Sequence, residues 1–253
     1  MVWFRKRLIV YVLFIAIAIW FSAVTAEFSF VSLFRLENTW DFIQRNFWPL
    51  RWELVPYLLQ QSLITLSVAF LGTLVALCLA LPISFLAASN TSVSKAGYYA
   101  VRSSLSLVRS VPEIVFGLIF VVSLGLGPFA ALLAIFLHNV GVLGKLISEL
   151  IEAAESGPQE AMKSVGSSRR IGQIFSIIPQ IWPNVLSHYF YRFEVAIRTS
   201  LVLGMIGGGG LGQSLMNYYN SLAYEAMATA ISIIMILVIV VDVIGGIVRK
   251  RVI

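Results

Sequence analysis

Three features of the sequence predict an all-α integral membrane protein. Hydrophobic residues make up 59% of the 253 positions and charged residues only 12%, against about a half and a quarter in ordinary soluble domains. The apolar residues fall in unbroken runs, several of them near the roughly 20 residues that carry a helix across a bilayer. Lys and Arg collect at the ends of those runs. Too little polar surface is left to wrap a soluble globule, which excludes a water-soluble enzyme. Spanning strands would alternate polar and apolar residues over about 10 positions, and these runs do not alternate. The single cysteine, Cys78, excludes a disulfide framework or a cysteine-built metal site within one chain.

Six spans are expected. The first, Leu8 to Ala26, follows Arg5-Lys6-Arg7 and ends in Val24-Thr25-Ala26, a pattern that also suits a signal peptide. Its apolar stretch is longer than such a peptide needs, so a retained helix is predicted; cleavage would leave five spans. Glu27 to Tyr57 follows as the longest external segment, with Trp40, Phe42, Phe47, Trp48 and Trp52 suited to the bilayer interface. The next spans are Ser62 to Ala88 and Leu105 to Leu124. Gly125-Leu126-Gly127-Pro128 allows only a tight turn before the span Phe129 to Ile151. Glu152 to Pro183 is the one sizeable cytoplasmic loop, and the spans Val185 to Ile206 and Ala223 to Val248 complete the set. Two domains are expected: residues 1–57, the first helix with its external loop, and residues 58–253, the main transmembrane body with a loop at 152–183.

The net charge of +6 could serve nucleic acid or anionic lipid, and its placement selects the bilayer over nucleic acid. With the N-terminus inside, eleven cations lie at cytoplasmic ends: Arg5, Lys6, Arg7, Lys95, Arg102, Lys163, Arg169, Arg170, Arg249, Lys250 and Arg251. Only Arg35, Arg45 and Arg51 lie outside, all in the first loop. That asymmetry places both termini in the cytoplasm.

Catalytic patterns are absent. No G-x-x-x-x-G-K-[ST], H-E-x-x-H or G-x-S-x-G occurs, so neither ATP hydrolysis nor the common zinc or serine chemistry is expected of this chain. His138 and His188 stand in different runs without metal-ligand spacing, and no metal site is predicted. Gly207, Gly208, Gly209 and Gly210 are expected in an external loop that folds back at the membrane edge, glycine permitting the tight turn.

Ionisable residues inside the spans are costly and tend to mark a pathway. Arg109 and Glu113 are four residues apart, as are Glu194 and Arg198, so each pair can neutralise itself on one helical face. Arg192 has no acid at that spacing. Arg198 and His138 fall nearest mid-membrane, and with Arg192 and Asn139 they form a candidate path for an anion.

The most specific local signal is Glu160-Ala161-Met162, then Gly166, then Pro179. The spacing resembles the cytoplasmic loop signature of ABC importer membrane subunits: E-A-A, three residues, Gly, and Pro nineteen residues after the Glu. Met162 replaces the third Ala, and Ser176 stands where Ile is usual. An earlier Glu152-Ala153-Ala154 lacks the rest of the register. Gly125 to Ala130, His138 to Gly144, Tyr191-Arg192-Phe193-Glu194 and Gly204 to Gly212 resemble the phosphonate importer permeases, a likeness running from about Ser103 to the C-terminus.

The resemblance implies a type I ABC importer permease fold, five core helices plus an N-terminal one, in the bacterial inner membrane. It implies a second copy of this chain, two ATP-binding cassette subunits, and a periplasmic or lipid-anchored substrate-binding protein. ATP and Mg would sit on the ATPase, with no cofactor on this chain. Glu160, Ala161, Met162, Gly166 and Pro179 would couple to the ATPase, and the cargo would be phosphonate, phosphite, hypophosphite or phosphate. From the residues alone, a permease for another small solute, a secondary transporter or channel, and a membrane scaffold stay open. The register of Glu160, Gly166 and Pro179 favours the importer, because the others need no docking loop.

Overall fold

The computed structural model describes residues 2–29 and 36–252. Residues 30–35 of the expected external segment, Arg35 among them, lie outside the described residues, as do the side chains of Arg5, Lys6 and Arg251. Every element among the described residues is helical. The chain divides into two units, Met1–Trp48 and Pro49–Ile253.

The first unit holds α1 (Val2–Thr25) and α2 (Leu36–Asn46). Apolar side chains cover α1 on all sides and are exposed from Leu8 onward, Ala23 alone being half-buried, which is the pattern of a helix made for lipid. By contrast α2 is amphipathic. Its Asp41 and Arg45 approach to 3.9 Å one turn apart, and Phe42 meets Phe47 edge to face, with ring centroids 6.3 Å apart.

The second unit begins with a short turn, Trp52–Leu54, and α3 (Val55–Ala87). The backbone N–H of Arg51 donates to Thr229 Oγ1 at 2.9 Å, and residues from Pro49 onward group with this unit. Next come α4 (Lys95–Ser110), α5 (Glu113–Leu124), α6 (Pro128–Ala153) and α7 (Ser156–Ser164). The long α8 (Arg169–Leu203) passes through a kinked turn at Gly204–Gly208 into α9 (Gly210–Asn220), and α10 (Tyr224–Val252) ends the chain.

Several expected boundaries change, α3 for one starting at Val55 and not at Ser62. The span Leu105 to Leu124 is broken: α4 and α5 meet at 82°. Pro112 supplies the cause, since it holds Val111 extended (φ −82°, ψ 123°) and has no N–H to continue the helix. The loop Glu152 to Pro183 is largely helix, because α8 starts at Arg169 and runs through both Pro179 and Pro183. Among the described residues, four helices are long and apolar enough to cross a membrane singly, and up to six spans result if each bent pair is one span.

Small residues bring α3 and α6 together. Ala69, Ala76, Ala131 and Ala134 are buried between them, and a Cβ on Gly72 would stand 3.0 Å from Ile135 Cγ2. Close backbone approach of this kind substitutes, in lipid, for hydrophobic attraction. Leu143, Ile147, Ile151, Ile177, Ile181 and Val185 extend the core along α6 and α8. One side of α10 stays uncovered: Met235, Ile236, Ile239, Val243 and Ile247 are all exposed, as lipid-facing side chains are.

Candidate functional site

Two sites emerge, one buried among α5, α6 and α8, the other at the end that carries α7. The buried cluster is lined by Glu113, Ile135, His138, Asn139, Arg192, Ala196 and Thr199. On α8, residues 192, 196 and 199 share a face because their spacing is one and two helical turns. Asn139 on α6 is 1% exposed; its Oδ1 accepts from Arg192 Nε at 2.9 Å and from Nη2 at 2.5 Å. Its amide donates onward to Thr73 Oγ1 at 3.1 Å. A lone guanidinium at this depth is expensive, and the fixed amide offsets part of that cost without neutralising the charge.

The α4–α5 corner closes the cluster. A Cβ on Gly141 would stand 2.8 Å from the backbone N of Arg109, so glycine there seats the end of α4 directly on α6. The corner carbonyl, Val111 O, lies 3.1 Å from His138 Nδ1. Glu113 then enters as the first residue of α5. Its Oε1 accepts from Thr199 Oγ1 at 2.9 Å, and its Oε2 lies 3.5 Å from His138 Nε2. No space that admits a water molecule is left between these side chains, while Glu113 keeps 28% of its side chain exposed and with Thr199 borders an adjoining cleft.

Both expected intrahelical ion pairs are replaced. Arg109 and Glu113 are separated by the Pro112 break; Arg109 is exposed, while Glu113 turns to Thr199 and His138. Glu194 pairs with Arg249 of α10, and Arg198 pairs with Asp242 of the same helix at 2.6 Å. For Glu194 and Arg198 the helix α10 offers an oppositely charged group in place of the one a turn away. Of the four candidate path residues the fold brings together His138, Asn139 and Arg192. It places Arg198 elsewhere. Thr199 and Thr73 were missed, although the seven-residue spacing from Arg192 to Thr199 already put those two on one face.

The glycine segment forms a buried corner. Gly207, Gly209 and Gly210 take positive φ of 105°, 78° and 70°, and Gly208, Gly209 and Gly210 are buried. A Cβ on Gly208 would meet Leu203 O at 2.7 Å and one on Gly210 would meet Thr65 Oγ1 at 2.5 Å. Thr65 Oγ1 accepts from the N–H of Leu211 at 3.0 Å, and Gly207 O accepts from that of Gly127 at 2.8 Å. Two chain reversals thereby become one packed unit.

At the other end, α7 carries Glu160 and Ala161 on an exposed surface while Met162 is half-buried against Gly172 of α8. Gly166 (φ 79°) ends the segment: its N–H donates to Lys163 O at 3.0 Å, and that of Ser167 to Met162 O at 3.1 Å. Nothing lies within 4 Å of a Cβ there, so glycine serves the sharp exit. Pro179 is exposed on α8, and buried Ser176 donates to Gly172 O at 2.6 Å. Arg102 braces this end from behind, bonding Ala87 O at 3.2 Å and Glu152 at 2.8 Å. No group of three His, Cys, Asp or Glu among the described residues could hold a metal ion.

Residues 80–253 match the family of binding-protein-dependent transport system inner membrane components. A phosphite transport system permease protein of Stutzerimonas stutzeri is 35% identical over 187 residues, covering 74% of this chain and 68% of that one. A phosphate-import permease protein of Mycolicibacterium smegmatis is 32% identical over 187 residues, 74% of this chain and 35% of its own length. Among solved structures, a chain of the MetNI methionine ABC transporter in inward-facing conformations aligns with a TM-score of 0.69 at 20% identity. That alignment covers 81% of this chain and all of the other, and it shows a shared fold.

Proposed function

This chain belongs to the binding-protein-dependent transport system inner membrane components, and we propose that it is the permease through which a phosphorus oxyanion enters the cytoplasm. It is a transport subunit of an ABC importer and not itself an enzyme. The cargo reading is supported by the relatives named for phosphite and phosphate transport and by one observation within the fold. Arg192 is held between α6 and α8 by a neutral amide, so its charge remains available to an anion. A guanidinium matches an oxyanion's geometry through paired charge-assisted hydrogen bonds. Arg192, His138 and Asn139 are assigned to the path, while Arg198, matched by Asp242, is assigned a structural part.

The reading extends to the assembly. Counting each bent pair as one span gives six, with both termini cytoplasmic as the cation asymmetry requires. Two copies flank the path, two ATPase subunits bind ATP and Mg, and an external binding protein delivers the anion. Helix α7 with Gly166 docks the ATPase, whose closure moves it as a rigid body.

The test is uptake of radiolabelled phosphite, methylphosphonate and phosphate into proteoliposomes holding this chain, its ATPase and its binding protein. ATP-dependent accumulation of one of them is expected. An assembled, ATP-hydrolysing complex that accumulates none of the three would overturn the cargo assignment.

A further inference from the structure

The buried cluster contains one group that an anion path leaves unexplained. Glu113 is the only acid among its lining residues, and a carboxylate repels the proposed cargo. Thr199 Oγ1 donates to one oxygen at 2.9 Å, and His138 Nε2 stands 3.5 Å from the other; with Nδ1–H directed at Val111 O, that nitrogen donates only when the ring is doubly protonated. Arg192 makes no ion pair within 4 Å among the described residues and bonds only neutral Asn139. The carboxylate thus stands between Thr199 and His138, in the cluster that Arg192 also lines.

The distribution over the helices is uneven in an informative way. The groups that can face an anion are on α6 or α8: His138 on the former, Arg192 and Thr199 on the latter. The acid alone is on α5, as its first residue, directly after the Pro112 corner where α4 and α5 meet at 82°. A small rotation at that corner withdraws the carboxylate from Thr199 and His138 together and leaves α6 and α8 in place. His138 holds the corner as well, through Val111 O.

We propose that Glu113 is a resident counter-anion: it occupies the oxyanion site of the resting permease and yields it when α5 moves. A phosphorus oxyanion presents three or four oxygens in a tetrahedron, so it can replace both carboxylate contacts and reach Arg192 besides. With Glu113 in place the resting site holds no imported anion, which protects against back-flow from the cytoplasm. The inference rests on the proposal that this cluster lies on the path.

The experiment is equilibrium dialysis of radiolabelled phosphate, phosphite and methylphosphonate against the purified permease–ATPase complex, without binding protein or ATP. Wild type should bind weakly. Glu113→Gln keeps the shape and the Thr199 contact but removes the like charge, and should bind the transported anion about tenfold tighter or more. ATP-driven uptake by the same variant should slow as release becomes limiting. Adding Arg192→Gln should abolish the gain. An assembled Glu113→Gln complex that binds no tighter than wild type overturns the inference. Where that variant does not assemble, Glu113→Asp takes its place: it draws the charge back by one methylene, a gain of a few fold is expected, and none overturns the inference. Wild-type uptake separates the two readings. If the wild-type complex imports none of the three anions, the function assigned above fails; if it imports one while the variant gains no binding, only the counter-anion role fails.

Discussion

The Arg198 guanidinium donates through Nη2 to both carboxylate oxygens of Asp242, at 2.7 and 2.6 Å, and so ties α8 to α10. Both side chains are about half exposed in the single chain, at 52% and 42%, on a helix otherwise surrounded by apolar side chains. Arg198→Gln should therefore leave Asp242 as a lone charge in apolar surroundings and lower stability by about 2–3 kcal/mol. Adding Asp242→Asn should recover most of the loss, whereas adding Glu194→Gln should not, since Glu194 belongs to Arg249. The amount of folded complex extracted from membranes checks this; rescue by Glu194→Gln would refute the pairing.

At Gly166 the backbone, not the space around it, sets the requirement. Gly166→Ala should cost about 1 kcal/mol for its left-handed conformation and loosen the exit from α7. Gly166→Asn should cost less, because Asn tolerates that region, and Gly166→Val more. The ratio of anion imported to ATP hydrolysed should fall in the order Gly, Asn, Ala, Val. An unchanged ratio in the Val variant would show that the exit from α7 does not govern coupling.

Glycines that look equivalent in the sequence should behave differently. A Cβ on Gly212 would stand 1.9 Å from the backbone oxygen of Leu201, while one on Gly246 has nothing within 4 Å. Gly212→Ala should destabilise by about 3 kcal/mol through forced backbone displacement. Gly246→Ala should be neutral or stabilising by up to about 1 kcal/mol from helix propensity. Thermal inactivation of the two detergent-solubilised variants decides it, and equal effects would discredit the packed corner.

Orientation can be read from labelling. With the exposed native thiol removed by Cys78→Ser, a cysteine introduced as Asn38→Cys should react with an impermeant reagent applied to intact spheroplasts. Ser164→Cys, at the end of α7, should react only after permeabilisation. Labelling of the second variant in intact spheroplasts would reverse the proposed topology.

The sequence by itself determined the helical class, the approximate C-terminal ends of the apolar helices and the spacing of the α7 signature. All three follow from properties carried along one strand of chain: continuous hydrophobicity, Pro and Gly positions, and spacing. The Pro112 break was legible on the same terms, since a proline inside an expected span also forbids the Arg109–Glu113 pair on one continuous face. Only the tertiary structure decided which charges meet. Glu194 reaches Arg249 across 55 residues and Arg198 reaches Asp242 across 44, because α10 packs against α8 and offers acceptors nearer than the next turn. It likewise decided that Asn139, an ordinary amide in a long apolar run, anchors Arg192, and that the glycines after Gly204 lie inside the body. Spacing along a helix limits which side chains share a face. The identity of the helix opposite that face is set by packing between segments far apart in sequence, and no local pattern encodes it.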